Sequence, residues 1–245
     1  MNRTIRPAIL GAAALTALAA LGATPAFADS TPAPAPSSAT VHSKTPRTLT
    51  SVQASAAAAT GKRIASLNAA IAKVTANTSL VSSDKAALLG NLTSDLGGMN
   101  TLASKIAADS DLAQAKIDYA DIFTTYRVSS VALPQSVFVT FADTVTSKTT
   151  ANLAAEQTRL SGLLSGKDAS KSTEALQADL TDMAAQIGKA TGAVSGLAAG
   201  SLAVTPEQYA ANHDVMKAFK ASATTARAAL KQAQTDAKTI RAALK

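Results

Sequence analysis

The chain lacks cysteine and tryptophan and has few aromatic residues, and these absences exclude several kinds of protein. Of 245 residues, 3% are aromatic and none is cysteine. Without cysteine there is no disulfide framework, no thiol nucleophile, no cysteine-ligated metal site and no lipid-modified cysteine. The folded chain must therefore be held together by side-chain packing alone.

The sequence also has little material for β-sheets. Hydrophobic residues make up 47% of the chain, and alanine is the most frequent of them. Alanine is the strongest helix former because its folding costs no side-chain rotamer entropy. Burying one methyl group is worth about 0.8 kcal/mol, against about 1.5–3 kcal/mol for Leu, Ile or Phe. These features predict an all-α fold whose alanine-rich core depends on long helices and close backbone approach.

The first 28 residues have the pattern of a secretory signal peptide. Arg3 and Arg6 precede the uncharged apolar run 8–21, and an Ala-Phe-Ala cleavage sequence ends at Ala28, before Asp29. A membrane anchor is the alternative, but a helix of 14 residues spans about 21 Å of a hydrocarbon core about 30 Å thick. We therefore expect a secreted or cell-envelope-associated protein. Removing the two arginines lowers its formal net charge from +7 to +5.

Residues 29–50 form a segment rich in Pro, Ser, Thr and Ala, without apolar periodicity. Alternating alanine and proline favour extended, polyproline-like conformations. We predict a disordered linker here, with an ordered arm lying on the folded domain as the alternative. No second long apolar segment follows, so no transmembrane segment is expected in the mature protein.

Residues 51–245 are predicted to form the folded domain, because apolar residues recur there at spacings of three and four. Four helices are expected at about 51–77, 83–108, 135–164 and 206–244. A further helix opens after Asp109–Asp111, with its apolar face predicted at Ile117, Ala120, Phe123 and Tyr126. Another has its seam between Leu176 and Leu197 and ends at Gly200. Short links make neighbouring helices antiparallel, which predicts an elongated antiparallel helical bundle with coiled-coil-like packing. The heptads allow closure within one chain or as a homo-oligomer.

Local signals refine this map. Ser82 and Ser83 are candidate caps for the second helix, and Thr205 begins a near-complete capping box with Gln208. Gly97-Gly98 predicts a kink or a close helix crossing. The stretch 128–134 leaves open one kinked helix or two, because the residue before a proline is disfavoured in the α region.

The strongest candidate site is a row of basic residues in the last helix, spaced by three, four or seven. The row is predicted to consist of Lys217, Lys220, Arg227, Lys231, Lys238, Arg241 and Lys245. Such a ridge fits anionic cell-envelope polymers or lipid headgroups. The alternative is a solvated face paired with Asp118 and Asp121 of a neighbouring helix. Nucleic acid is disfavoured, because no aromatic residues alternate with these basic ones.

Other chemistry has weaker support. Asp109 and Asp111 are better explained as a helix cap than as metal ligands, and no metal or cofactor site is predicted. With His42 and His213 as the two histidines, no nucleophile–base pair has a place, so enzyme activity is the least favoured function.

A small hydrophobic pocket is a further alternative, although core packing is the favoured role for the aromatic residues that would line it. The residues concerned are Phe123, Tyr126, Phe138 and Phe141.

Three segments resemble sequences of uncharacterised exported, alanine-rich helical proteins of high-GC Gram-positive bacteria. They are 122–134 with its Tyr126-Arg127-Val128 and Leu133-Pro134, the run 180–183, and 204–212 with its Val-Thr-Pro. The similarity extends over about 62–245. It implies export and a helical bundle, and it brings no activity and no site residues.

The sequence therefore predicts a non-enzymatic interaction or scaffold protein that acts by surface contact along its long helices. A carrier of small apolar ligands within the bundle is the alternative hypothesis.

Overall fold

A computed structural model describes residues 47–245. The predicted signal peptide, its cleavage site at Ala28 and Asp29, and most of the predicted linker lie outside the described residues. Within them the fold is an all-α helical bundle. The helices are α1 Leu49–Ala76, α2 Ser82–Ala108, α3 Leu112–Thr124, α4 Ala132–Thr144, α5 Thr150–Ser165, α6 Glu174–Val194, α7 Leu197–Leu202, α8 Pro206–Ala211 and α9 Val215–Ala243.

The first three helices form one packed group. A short link makes α1 and α2 antiparallel, and α3 packs against both. Thr48 starts α1 with a capping box, because its side chain accepts from the backbone of Ser51 while the Ser51 hydroxyl accepts from Thr48. Leu67, Leu92 and Met99 lie in the shared core and are almost fully buried.

A second packed group contains α5, α6 and α9. Helices α6 and α9 run antiparallel, since the Lys171 ammonium just before α6 donates to the carbonyl of Leu244 just after α9 (2.7 Å). Their interface is rich in alanine, including the fully buried Ala190, Ala223 and Ala226. Small side chains let the helix backbones approach closely, as the composition predicted.

Helix α4 joins the two groups. Its Val139 belongs to the core of the first group, while Phe141 and Ala142 belong to that of the second. A π-helical segment, Val145–Thr149, connects α4 to α5 without a loop. The chain between α3 and α4 is non-helical, so the stretch around Val128–Pro134 separates two helices, with Pro134 in the first turn of the second.

The predicted single last helix is wrong. The Thr205 capping box is present and starts α8, but α8 ends at Ala211. The side chain of Asn212 then accepts from the backbone N–H of Asp214 (2.9 Å), a local turn that competes with helix continuation. The long helix α9 starts afresh at Val215 and is about 44 Å long at 1.5 Å per residue.

The cap predicted for α2 and the predicted end of the sixth helix differ from the structure. Ser82 and Ser83 do not cap α2, because α2 begins at Ser82 and Val81 occupies the N-cap position. The backbone N–H of Val81 donates to the Asp143 carboxylate on α4 (2.8 Å). The sixth helix ends at Val194 rather than Gly200, since Gly196 adopts a left-handed conformation (φ 73°) that glycine tolerates best. By contrast, Asp111 caps α3 as predicted.

The register of α3 is also different from the prediction. The buried positions are Ala115, Asp118 and Ile122, whereas the apolar spacing favoured the face of Ile117 and Phe123. Ile117 is 58% exposed and Phe123 is 40% exposed. In this orientation Asp118 accepts one hydrogen bond from α2 and one from its own helix, described below.

Candidate functional site

The seven basic residues predicted to form a ridge lie along one side of α9 and in its C-terminal tail. They are Lys217, Lys220, Arg227, Lys231, Lys238, Arg241 and Lys245, and are called the basic face below. At 3.6 residues per turn the members within the helix fall in an arc of about 120°. All are exposed except the partly buried Arg241. The neighbouring arc carries Ala226, Leu230 and Ile240, which pack in the core, so the basic face borders the buried seam.

The two arginines of the basic face hold α9 against other helices. The Arg227 guanidinium lies 4.6 Å from the ring centroid of Phe141 on α4, a cation–π contact. Arg241 Nε lies 3.4 Å from a carboxylate oxygen of Glu156 on α5 and donates to the carbonyl of Ala237. Glu156 is shared with Arg159, which is the larger cause of the lowered pKa of Glu156, while Arg241 also contributes. These two arginines therefore have a structural role.

The lysines of the basic face point to solvent. Lys217 pairs with Asp214 (2.7 Å), but both side chains are more than 60% exposed, so this ion pair is worth little. Lys231, Lys238 and Lys245 make no ion pair with any residue in the described part of the chain. Their charge is thus available to an external anion.

The alternative explanation, in which the basic face pairs with Asp118 and Asp121, is wrong for Asp118. That carboxylate is almost fully buried (1% exposed) and accepts from Lys105 Nζ on α2 and Gln114 Nε2 on its own helix, both at 2.8 Å. The hydrogen bond from Lys105 to Asp118 raises the pKa of Lys105, and Asp121 raises it further. Both carboxylates therefore interact electrostatically with Lys105 of α2.

The large exposed apolar side chains lie on helices other than α9. In the described part of the chain they are Val81, Ile117, Phe123 and Val137. They belong to the start of α2, to α3 and to α4. The helix that carries the basic face therefore exposes charge without large apolar side chains of its own.

The aromatic residues around Pro134 are spread over separate contacts. They are Phe123, Tyr126, Phe138 and Phe141. Phe123 lies under the Arg63 guanidinium, 4.4 Å from ring centroid to carbon, and next to Tyr119. Tyr126 contacts a glycine of α2, Phe138 a phenylalanine of α9, and Phe141 an arginine of α9. The structure therefore does not bring this group together as the lining of one apolar pocket.

The described part of the chain has an open groove and a smaller cleft. The groove, of about 380 Å³, lies between the start of α1 and the end of α2 and is lined mostly by alanine. The smaller, more polar cleft of about 260 Å³ contains Asp95 and Gln135. Neither residue was predicted from the sequence; the signal that could have indicated the cleft was Gly98, which was predicted to mark a kink or a close helix crossing.

Residues 47–245 contain neither a cluster of metal-binding side chains nor a membrane-spanning helix. No group of three or more His, Asp or Glu side chains there is placed to hold a metal ion. None of the helices in this range is both apolar enough and long enough to cross a bilayer. His213 is exposed, with its ring against Tyr209 (4.9 Å between centroids).

The chain was compared with family models, with curated proteins and with solved structures, and none of them matches it.

Proposed function

We propose that this protein is exported and acts, without catalysis, as an interaction protein that binds an extended anionic polymer of the cell envelope along the basic face. The observation that carries the proposal is the row of exposed lysines, of which Lys231, Lys238 and Lys245 make no ion pair within the described part of the chain.

The dimensions and chemistry of the basic face favour a polymer over a lipid surface. From Lys217 to Arg241 the face extends for about 36 Å at 1.5 Å per residue, so several charges of one extended chain reach it at once. Membrane-surface helices bury large apolar side chains beside their basic ones, and the described part of α9 exposes none. Binding through charge alone also predicts strong weakening by salt.

The test uses the purified protein, cleaved after Ala28, and long-chain polyphosphate as the probe. In the test variant Lys231, Lys238 and Lys245 are replaced by Gln, which leaves the structural arginines intact. At about 1 kcal/mol per basic residue, the variant should bind roughly a hundredfold more weakly at low salt. Isothermal titration calorimetry at low and high NaCl measures the affinity, and circular dichroism checks the fold.

A second variant, with Lys62, Lys116 and Lys189 replaced by Gln, is the matched control. These three lysines are exposed on α1, α3 and α6, so the control loses the same charge elsewhere. It should keep most of the affinity. Equal losses of affinity in the two variants would mean that binding depends on the net charge of the protein and not on the basic face. That result would refute the proposal. Stronger, salt-resistant binding to phosphatidylglycerol vesicles than to polyphosphate would favour a lipid surface instead.

A further inference from the structure

The polar cleft lies where α2, the α3–α4 connection, the start of α4 and the α7–α8 connection meet. Its volume is about 260 Å³. Six hydrogen-bonding residues line it: Asn91, Ser94, Asp95, Tyr126, Gln135 and Thr205. It is therefore large enough for a small organic molecule.

The wall formed by the α3–α4 connection is built by specific constraints. Tyr126 packs so closely on Gly98 of α2 that a Cβ atom there would overlap the tyrosine ring. The next residue, Arg127, has a left-handed backbone (φ 43°), which is unfavourable for a residue with a side chain. Its guanidinium lies 5.4 Å from the ring centroid of Tyr209. The chain thus holds Tyr126 at the edge of the cleft at a conformational cost.

Gln135 presents an acceptor to the cleft. Its side-chain nitrogen donates to the carbonyls of Ser201 (2.9 Å) and Val204 (2.8 Å), which uses both amide hydrogens. This fixes the orientation of the amide and leaves its oxygen as the remaining hydrogen-bonding atom. The residue is 96% buried and lines the cleft. A ligand with hydrogen-bond donors would bind this oxygen.

Asp95 is the one charged residue of the lining. It forms no ion pair in the part of the chain that the structure describes, and burial raises its pKa to about 6. A partly desolvated carboxylate without a partner is unfavourable, and a nearby cation favours its charged form. The cleft therefore combines an unpaired anion with a fixed acceptor, and it lacks a cation.

We propose that this cleft is a binding site for a small hydroxylated molecule that carries a primary ammonium group, such as an amino sugar. The ammonium group pairs with the Asp95 carboxylate, and ligand hydroxyls donate to acceptors of the lining, including the Gln135 amide oxygen. This site is separate from the basic face and takes a ligand of opposite charge, so the two proposals stand or fall independently.

The test compares glucosamine with glucose, which differ by one ammonium in place of a hydroxyl. Titrations of the ¹⁵N-labelled protein followed by NMR should show glucosamine binding at pH 7.5, with shifts at the amides of Ser94 and Tyr126, and at least tenfold weaker binding of glucose. At pH 5 glucosamine should bind several-fold more weakly than at pH 7.5, since a pKa of about 6 leaves roughly one tenth of Asp95 ionised. The fuller protonation of the glucosamine amine at pH 5 offsets part of this loss.

The variant Asp95→Asn keeps the shape of the side chain and should lower the affinity for glucosamine at least tenfold at pH 7.5. The control Asp121→Asn removes the same charge from α3, outside the cleft, and should leave the affinity unchanged. Undiminished binding by Asp95→Asn, equal binding of glucose, shifts confined to residues outside the lining, or no binding of glucosamine at millimolar concentrations would each overturn the proposal.

Discussion

Single residues decide how closely the helices of this protein approach, and two adjacent glycines on α2 provide a matched test. Gly97 has open space where a Cβ would be, whereas a Cβ on Gly98 would overlap Tyr126. Gly97→Ala should stabilise the protein by about 0.5–1 kcal/mol, because alanine lowers the entropy cost of the helix. Gly98→Ala should lose that gain and about 1–3 kcal/mol more through overpacking. Urea denaturation followed by circular dichroism measures both.

Tyr126→Ala is the control background for this comparison. Without the ring, Gly97→Ala and Gly98→Ala should have the same effect on the free energy of unfolding. A persisting difference would show that Gly98 is required for a reason other than its contact with Tyr126.

Residue-scale features also mark where sequence reasoning fails. An aspartate spaced among apolar residues is expected at the surface, yet Asp118 is buried because Lys105 and Gln114 bind it. These partners lie on two helices, so the relevant interaction exists only after packing. The same applies to Asp95 and Gln135, whose cleft is formed by four segments that are distant in the sequence.

At the scale of helices, the alanine-rich seam between α6 and α9 leads to a second prediction. Ala226 is fully buried in this seam, and Ala228, two residues away, is exposed. Ala226→Leu should destabilise the protein by about 1–3 kcal/mol, because the backbones approach too closely for a larger side chain. Ala228→Leu should stay within about 0.5 kcal/mol of the original protein. Thermal denaturation compares the two, and equal effects would contradict close packing at Ala226.

Helix caps and boundaries were predicted well where the interaction that determines them is local. They were predicted less well where a tertiary contact determines them. The Thr205 capping box and the Asp111 cap were both identifiable, since each cap satisfies its own helix. The N-cap of α2 was not, because Val81 occupies that position and the partner of its backbone N–H, Asp143, lies 62 residues away in the chain. The end of α8 depends on the Asn212 turn, which competes with a good apolar seam and wins.

At the scale of the whole molecule, the apolar spacing predicted an antiparallel bundle but not its division into two groups joined by α4. The reason is that α4 is apolar over much of its surface, with Ala132, Val139, Phe141 and Ala142 all buried. A helix with one apolar face packs through that face alone. A helix that is buried on several sides is compatible with more than one arrangement of neighbouring helices. Spacing alone does not distinguish these arrangements.

Buried carboxylates at the helix interfaces make the stability of the whole molecule depend on pH. Burial raises the pKa of Asp236 on α9 and Asp143 on α4, and neighbouring carboxylates, including Asp182 and Asp84, raise it further. Asp95 is raised to about 6. Between the ordinary value of 3.8 and the raised values the folded state keeps protons that the unfolded state releases. Rising pH therefore lowers the free energy of unfolding over this window.

We expect the melting temperature to be higher at pH 5 than at pH 7, and Asp236→Asn to reduce the difference. One carboxylate oxygen of Asp236 is buried without a hydrogen-bond partner, so removing the charge should stabilise the protein at pH 7 by about 1 kcal/mol, or roughly 2–4 °C. The control Asp214→Asn removes an exposed carboxylate at the start of the same helix and should leave the pH dependence unchanged. A melting temperature that rises from pH 5 to pH 7 would contradict the prediction, because the lowered pKa of Glu156, which has the opposite effect, acts mainly below pH 4.5.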